Sequence, residues 1–129
     1  MNQLSNWIAG PQLPGVIILV VGWIMAKYPP KNINPLYGYR TSLSMKNQQT
    51  WDEANRFSAR LMIRSGWILI FTGLIFSLII STGVLNSTIQ NLLRPLLLIG
   101  GSIVSALILI GITEKHLKKT FPENKDEIR

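Results

Sequence analysis

The chain has 129 residues, of which 47% are hydrophobic, and it carries a formal net charge of +7 without any cysteine. Its length predicts a single domain, residues 1–129, and the lack of cysteine excludes disulfides and zinc sites built from thiolates. The basic charge alone is compatible with nucleic acid binding, but the distribution of the charges along the chain favours a membrane instead.

Three long segments without charged side chains predict an all-α membrane protein. Residues 1–26, 66–85 and 95–113 contain no Asp, Glu, Lys, Arg or His. About 20 helical residues cross a hydrocarbon core roughly 30 Å thick, and these continuous apolar runs lack the alternation of a barrel strand. We therefore predict three transmembrane helices, at about residues 7–28, 66–85 and 95–113. The first is assigned to the mature protein, since a signal peptide would begin with basic residues.

The basic residues predict the orientation in the membrane. Twelve of the thirteen Lys and Arg residues lie between the first two spans or after the third, and only Arg94 lies between the second and third. Because positively charged short loops stay in the cytoplasm, we predict a multi-pass protein of the bacterial inner membrane with its N-terminus outside and its C-terminus inside. The basic residues then face anionic headgroups of the lipid bilayer, and nucleic acid is not expected as a partner.

The loop after the first span, residues 29–49, contains the motif NPLYGYRT at Asn34–Thr41. Gly38 permits a positive φ or a close backbone approach, and Arg40 offers a planar donor for a phosphate or a carboxylate. The aromatic rings of the motif suit a membrane interface. These residues, with two from the next helix, form the predicted partner or ligand site: Asn34, Tyr37, Gly38, Tyr39, Arg40, Thr41, Trp51 and Asn55.

An amphipathic helix is predicted at residues 51–64. Thr50 and Glu53 have the spacing of a capping box, so we expect the helix to begin at Trp51. Its apolar face comprises Trp51, Ala54, Phe57, Ser58, Leu61 and Met62, and an arginine column lies opposite. That column, the predicted lipid-headgroup site, comprises Arg56, Arg60 and Arg64.

Two questions about this helix stay open at the level of sequence. The arginine column is either a solvated face or the polar side of a helix lying in the membrane plane with its arginines on lipid phosphates. The chain either bends at Ser65–Gly66 or continues as one helix into the second span.

Asn55 is expected to hydrogen-bond the loop backbone. The loop and the helix then either bind a partner or only lock together as a cap.

The third span contains a small-residue face with Gly100, Gly101, Ser102, Ser105 and Ala106. Small residues let helix backbones approach closely in lipid. This face is expected either to pack against another span of the same chain or to form a homo-oligomer. The charged tail, residues 114–129, is expected to fray, with His116 at the surface.

No constellation of residues indicates catalysis. Asp52 and Glu53 are adjacent and diverge on a helix, so they cannot act as a pair, and His116 is the only histidine. No metalloprotease, phosphate-loop or serine-hydrolase motif is present. The spans lack the ionisable residues that ion-coupled transport usually needs. We therefore expect a non-enzymatic binding protein without a cofactor or metal.

The motif residues resemble the SdpI family of bacterial membrane proteins. The matching positions are Asn34, Gly38, Tyr39, Arg40, Thr41, Trp51 and Asn55, in a segment from about Tyr28 to Leu85. The resemblance implies immunity against a secreted, membrane-acting peptide toxin, or signalling in which the protein holds a cytoplasmic regulator at the membrane. The alternative hypothesis is a membrane scaffold that binds anionic lipids without toxin immunity.

Overall fold

The computed structural model describes Gly10 and residues 12–122, and within them the fold consists of three helices. They are α1 (Gln12–Lys27), α2 (Gln48–Ser81) and α3 (Ser87–Thr120). No strand occurs in these residues, so the all-α prediction is confirmed for them. The predicted beginning of the first span, at residues 7–9, and the tail from residue 123 lie outside the described residues.

The two long helices have the properties of membrane spans. α2 and α3 each have 34 residues and are apolar enough to cross a membrane, by length and composition. Only 17% and 11% of their most apolar windows are buried inside the protein, whereas the core helix of a soluble protein buries its apolar residues. α1 is a shorter apolar helix of 16 residues. The exposed apolar surface indicates a membrane protein, and the three-span topology stays a prediction.

The predicted amphipathic segment is the first part of α2 rather than a separate helix. α2 passes through Ser65 and Gly66 without a break, which answers the question of a bend in favour of a continuous helix. At 1.5 Å per residue the helix is about 51 Å long, well beyond a hydrocarbon core of roughly 30 Å. The helix is therefore too long to lie wholly within a hydrocarbon core, and its polar N-terminal part is the part that extends beyond it.

The predicted start of this helix is wrong. α2 begins at Gln48, because Asn47 is the N-cap: its side chain accepts the N–H of Thr50 at 2.9 Å. The Thr50 hydroxyl accepts the N–H of Asn47 at 3.2 Å and so completes the capping box. Asn is as strong an N-cap as Thr, and this earlier cap leaves Glu53 free for contacts with α3.

α1 and α2 pack closely through glycines. A Cβ atom placed on Gly22 would lie 2.6 Å from the Cβ of Met62, and one on Gly66 would lie 2.8 Å from the Cβ of Leu19. No larger side chain fits at these positions without a shift of the neighbouring helix. The glycines therefore set the distance between the two helices.

α3 packs against the other helices through one face only. Its buried residues recur every four positions: Ser105, Leu109, Thr113 and Leu117. A Cβ atom on Gly100 or Gly101 would meet nothing within 4 Å. The predicted packing of the small-residue face within the chain therefore holds for Ser105 and is wrong for the two glycines, which face away from the other described helices. A homo-oligomer through this span stays a prediction.

The C-terminal part of α3 is ordered by contacts with α2. The helix ends at Thr120, so the prediction that the chain frays from residue 114 is wrong for residues 114–120. The His116 ring stacks on Phe57 with a centroid distance of 3.9 Å, and Leu117 is fully buried. His116 is therefore a packed residue and not the free surface residue that we expected. We call this end of the molecule, where the motif loop, the start of α2 and the end of α3 meet, the loop end.

Candidate functional site

The motif loop is attached to α2 through two buried side chains. Trp51 is fully buried, and its Nε1–H donates to the carbonyl oxygen of Pro30 at 3.0 Å. The Asn55 Oδ1 accepts the N–H of Tyr39 at 2.6 Å, and its Nδ2 donates to the carbonyl of Trp51 at 2.8 Å. The expected hydrogen bond between Asn55 and the loop backbone is confirmed.

Gly38 lies where the loop touches α2, and no other residue suits this position. Its φ is +117°, a conformation that residues with a Cβ atom rarely adopt. A Cβ atom there would lie 2.6 Å from Asn55 Oδ1 and 2.9 Å from Pro30 Cγ. The glycine of the motif is therefore required by both backbone conformation and space.

Asn34 and Tyr37 stabilise the entry to the motif. The Asn34 Oδ1 accepts the N–H groups of Leu36 at 3.0 Å and of Tyr37 at 2.8 Å. The Tyr37 hydroxyl donates to the carbonyl of Tyr28 at 2.9 Å. Both side chains therefore fold the loop back towards the end of α1.

Glu114 connects the motif to α3, and sequence reasoning missed it. Its Oε1 accepts hydrogen bonds from the Tyr39 hydroxyl at 3.1 Å and from the Thr41 hydroxyl at 2.6 Å. Burial, followed by the hydrogen bond and charge of Glu114, raises the pKa of Tyr39 well above its ordinary value. One signal in the sequence could have indicated Glu114. It is the first charged residue after the third uncharged segment, and the predicted topology puts that end of the third span on the same side of the membrane as the loop.

Ser44 is a second residue that sequence reasoning missed. It is fully buried, and its hydroxyl donates to the carbonyl of Tyr39 at 2.9 Å while accepting the N–H of Thr41 at 2.8 Å. The Thr50 hydroxyl donates to the carbonyl of Ser44 at 3.2 Å. Ser44 therefore connects the motif to the cap of α2.

A second cluster at the loop end contains Glu53, Arg56 and His116. His116 Nε2 lies 2.8 Å from Glu53 Oε1, and Arg56 pairs with the other carboxylate oxygen. Burial tends to raise the pKa of Glu53, but the hydrogen bonds from His116 and Arg56 and their charges hold that pKa below its ordinary value. No group of three metal-binding side chains forms among the described residues. The pair of Glu53 and His116 is a polar contact between α2 and α3.

Arg40 differs from the other predicted motif residues. Its side chain is exposed, and within residues 12–122 it makes no hydrogen bond or ion pair. It lines a cavity of about 410 Å³, which we call the α1–α3 groove, together with apolar residues that include Ile17, Val21 and Ile110. Of the predicted site, Arg40 is thus the residue available to a ligand, and a ligand-binding role for the set stays a prediction.

The arginine column lies on the outer side of α2, as its spacing predicts. Arg56, Arg60 and Arg64 are all exposed. Arg56 pairs with Glu53, whereas Arg60 and Arg64 have no ion pair in the described part of the chain. The opposite face, including Trp51, Ala54 and Ser58, is buried inside the protein and not in a headgroup layer.

Comparison with known proteins agrees with the motif. The sequence profile of the SdpI/YfhL protein family matches residues 31–119. A protein of Bacillus subtilis (strain 168), described as uncharacterized protein YfhL, is 38% identical over 104 residues, which cover 81% of this chain and 82% of that protein. No solved structure matches the chain. The matched segment contains the motif at Asn34–Thr41, α2 and nearly all of α3, and the chain belongs to the SdpI/YfhL family.

Proposed function

We propose that this protein is a three-span inner-membrane protein that binds a membrane-acting peptide toxin, or a cytoplasmic regulator, at the loop end. Its role is immunity or reception, without catalysis. In this proposal the N-terminus lies outside and the C-terminus and the motif loop lie on the cytoplasmic side. The uneven distribution of Lys and Arg supports that orientation.

The observation that carries the proposal is a rigid loop that presents one unpaired cation beside an apolar groove. Hydrogen bonds to Asn55 and Glu114 hold the residues on both sides of Arg40, so little backbone entropy is lost when Arg40 binds a ligand. The guanidinium suits a carboxylate of a partner. The α1–α3 groove, of about 410 Å³, is large enough for apolar side chains of the same partner.

Bacterial cells that express the protein can test this role. Wild type, Arg40→Ala and Arg60→Ala are compared at equal membrane levels during challenge with a panel of membrane-active peptides. We expect protection by wild type and by Arg60→Ala, the matched exposed arginine outside the groove, and loss of protection by Arg40→Ala. The Arg40 side chain makes no hydrogen bond or ion pair within residues 12–122, so its removal should not affect folding.

Two results would contradict the proposal. Equal sensitivity of cells with and without the wild-type protein would contradict immunity, and full protection by Arg40→Ala would contradict the assigned site. The orientation is tested separately by labelling a Ser42→Cys variant, because the chain has no other cysteine. Ser42 is exposed on the loop, so labelling by an impermeant reagent from outside would overturn the proposed topology.

A further inference from the structure

A second cavity, of about 600 Å³, opens where the end of α1 meets the first part of α2. Lys31, Arg56 and Arg60 line it, together with one acidic residue, Asp52. Three cations against one carboxylate give this space, which we call the basic cleft, a net positive charge. The basic cleft shares no lining residue with the α1–α3 groove.

Two of the three cations are available to a ligand. The side chains of Lys31 and Arg60 have no hydrogen bond or ion pair within residues 12–122. Arg56 is already paired with Glu53, and Asp52 accepts a hydrogen bond from Gln48 at 2.7 Å. An anion in the basic cleft would therefore meet two unpaired donors.

The basic cleft lies at the boundary between apolar and polar surface. Its wall includes Met25 and Ala26, in the last turn of α1, and the uncharged part of the chain ends at Ala26. Because Gly22 packs against Ala59, this last turn lies beside the segment of α2 that contains Arg60. Apolar walls and cations thus meet at the level where a bilayer changes from acyl chains to headgroups.

We infer that the basic cleft binds the headgroup of an anionic phospholipid of the surrounding bilayer. The phosphate pairs with Lys31 and Arg60, and the glycerol and upper acyl chain lie along Ala26 and Pro29, the exposed apolar residues of the wall. Basic pockets beside transmembrane helices are known to hold anionic headgroups. The inference rests on the membrane placement proposed above, but it does not depend on the peptide-binding role.

The geometry favours a lipid over an acidic segment of a soluble partner. A lipid supplies both a phosphate for the cations and an apolar chain for the apolar wall of the basic cleft. The bilayer also supplies this ligand at high local concentration. Unlike the arginine column predicted from sequence, this site includes Lys31 and does not include Arg64.

The experiment uses the full-length protein in nanodiscs of phosphatidylcholine with a rising fraction of phosphatidylglycerol. Native mass spectrometry then measures the ratio of the two lipids that stay bound. Each of Lys31→Gln and Arg60→Gln should lower the preference for phosphatidylglycerol about fivefold, the equivalent of about 1 kcal/mol per cation near the surface. Asp52→Asn should raise the preference, because it removes the one acidic side chain among the described residues that line the basic cleft. Arg40→Gln is the matched control and should leave the preference unchanged.

The outcomes separate this inference from its alternatives. Wild-type preference in the Lys31→Gln, Arg60→Gln double variant, or an equal loss in Arg40→Gln, would overturn it. Displacement of phosphatidylglycerol by millimolar inorganic phosphate would also overturn it, because the site would then take the free anion. Toxin protection depends on Arg40 and not on the basic cleft. Failure of the peptide-binding proposal would therefore leave the lipid preference intact, and the reverse also holds.

Discussion

Replacement of Gly38 by alanine tests whether backbone geometry holds the motif loop against α2. The added methyl group would lie 2.6 Å from Asn55 Oδ1, the atom that accepts the N–H of Tyr39. Left-handed backbone costs a residue with a Cβ atom roughly 1–2 kcal/mol, and an unpaired buried amide costs about 1–3 kcal/mol. We therefore expect Gly38→Ala to lose roughly 2–5 kcal/mol of unfolding free energy, the sum of these two costs.

Alanine substitutions at two other glycines distinguish the cost of the left-handed backbone from the cost of the lost hydrogen bond. Gly83 has a φ of +74°, but a Cβ atom there would meet nothing within 4 Å, so Gly83→Ala should lose only the backbone contribution. Gly100 is helical and equally unobstructed, so Gly100→Ala should lose nothing.

Trp51 provides the assay, because it is fully buried and lies beside Gly38. In a background where Trp7, Trp23 and Trp67 are replaced by phenylalanine, its fluorescence reports exposure during titration of detergent micelles with SDS. Equal losses for Gly38→Ala and Gly83→Ala would refute the contact with Asn55 as a source of stability.

Two further predictions use the same SDS titration. Since the pKa of Glu53 is held below its ordinary value, its charged form contributes stability at neutral pH that is lost as the pH falls through the lowered pKa. Glu53→Gln should therefore be less stable than wild type at neutral pH and lose less on acidification, whereas parallel pH curves would contradict a stabilising role for the charged pairs of Glu53 with Arg56 and His116. Gly22→Ala should cost about 1–3 kcal/mol by overpacking, because its Cβ atom would lie 2.6 Å from Met62. Gly111→Ala, which meets nothing within 4 Å, should cost nothing, and equal effects of the two changes would exclude close packing of α1 on α2.

The helical class and the faces of α2 were predictable from local patterns. Uncharged segments of about 20 residues have few alternatives to a helix in lipid, and the structure places α2 and α3 over two of them. The periodicity of residues 51–64 also placed the Arg56 column outward and Ala54 inward. These features depend on residues within a few turns of one another.

The boundaries of α2 were less predictable because two caps compete within four residues. Asn47 and Thr50 both suit an N-cap, and the structure uses Asn47 with Thr50 as its capping-box partner. The absence of a bend at Ser65 likewise depends on α1, whose glycines pack along this part of α2. The helix propensities of the residues around Ser65 carry no information about that contact.

The contacts of the site were the least predictable part. Glu114 is more than seventy residues from Tyr39 and Thr41, and His116 is 63 residues from Glu53. Such pairs depend on which ends of which helices meet and on the register between them. The polar residues after the third span therefore resembled a tail, although two of them are partners within the fold: Glu114 of the motif loop and His116 of α2.

The sequence by itself determined that this is an all-α protein with long apolar helices, an asymmetric distribution of basic residues and the loop motif of the SdpI/YfhL family. Each of these features depends on composition or on spacing along one segment. Only the tertiary structure decided that Gly38 must be a glycine, that Glu114 holds the loop and that Arg40 stays unpaired. It also placed Lys31 and Arg60 in the wall of the same cavity, the basic cleft, because the close packing of α1 on α2 sets the register between the end of α1 and α2.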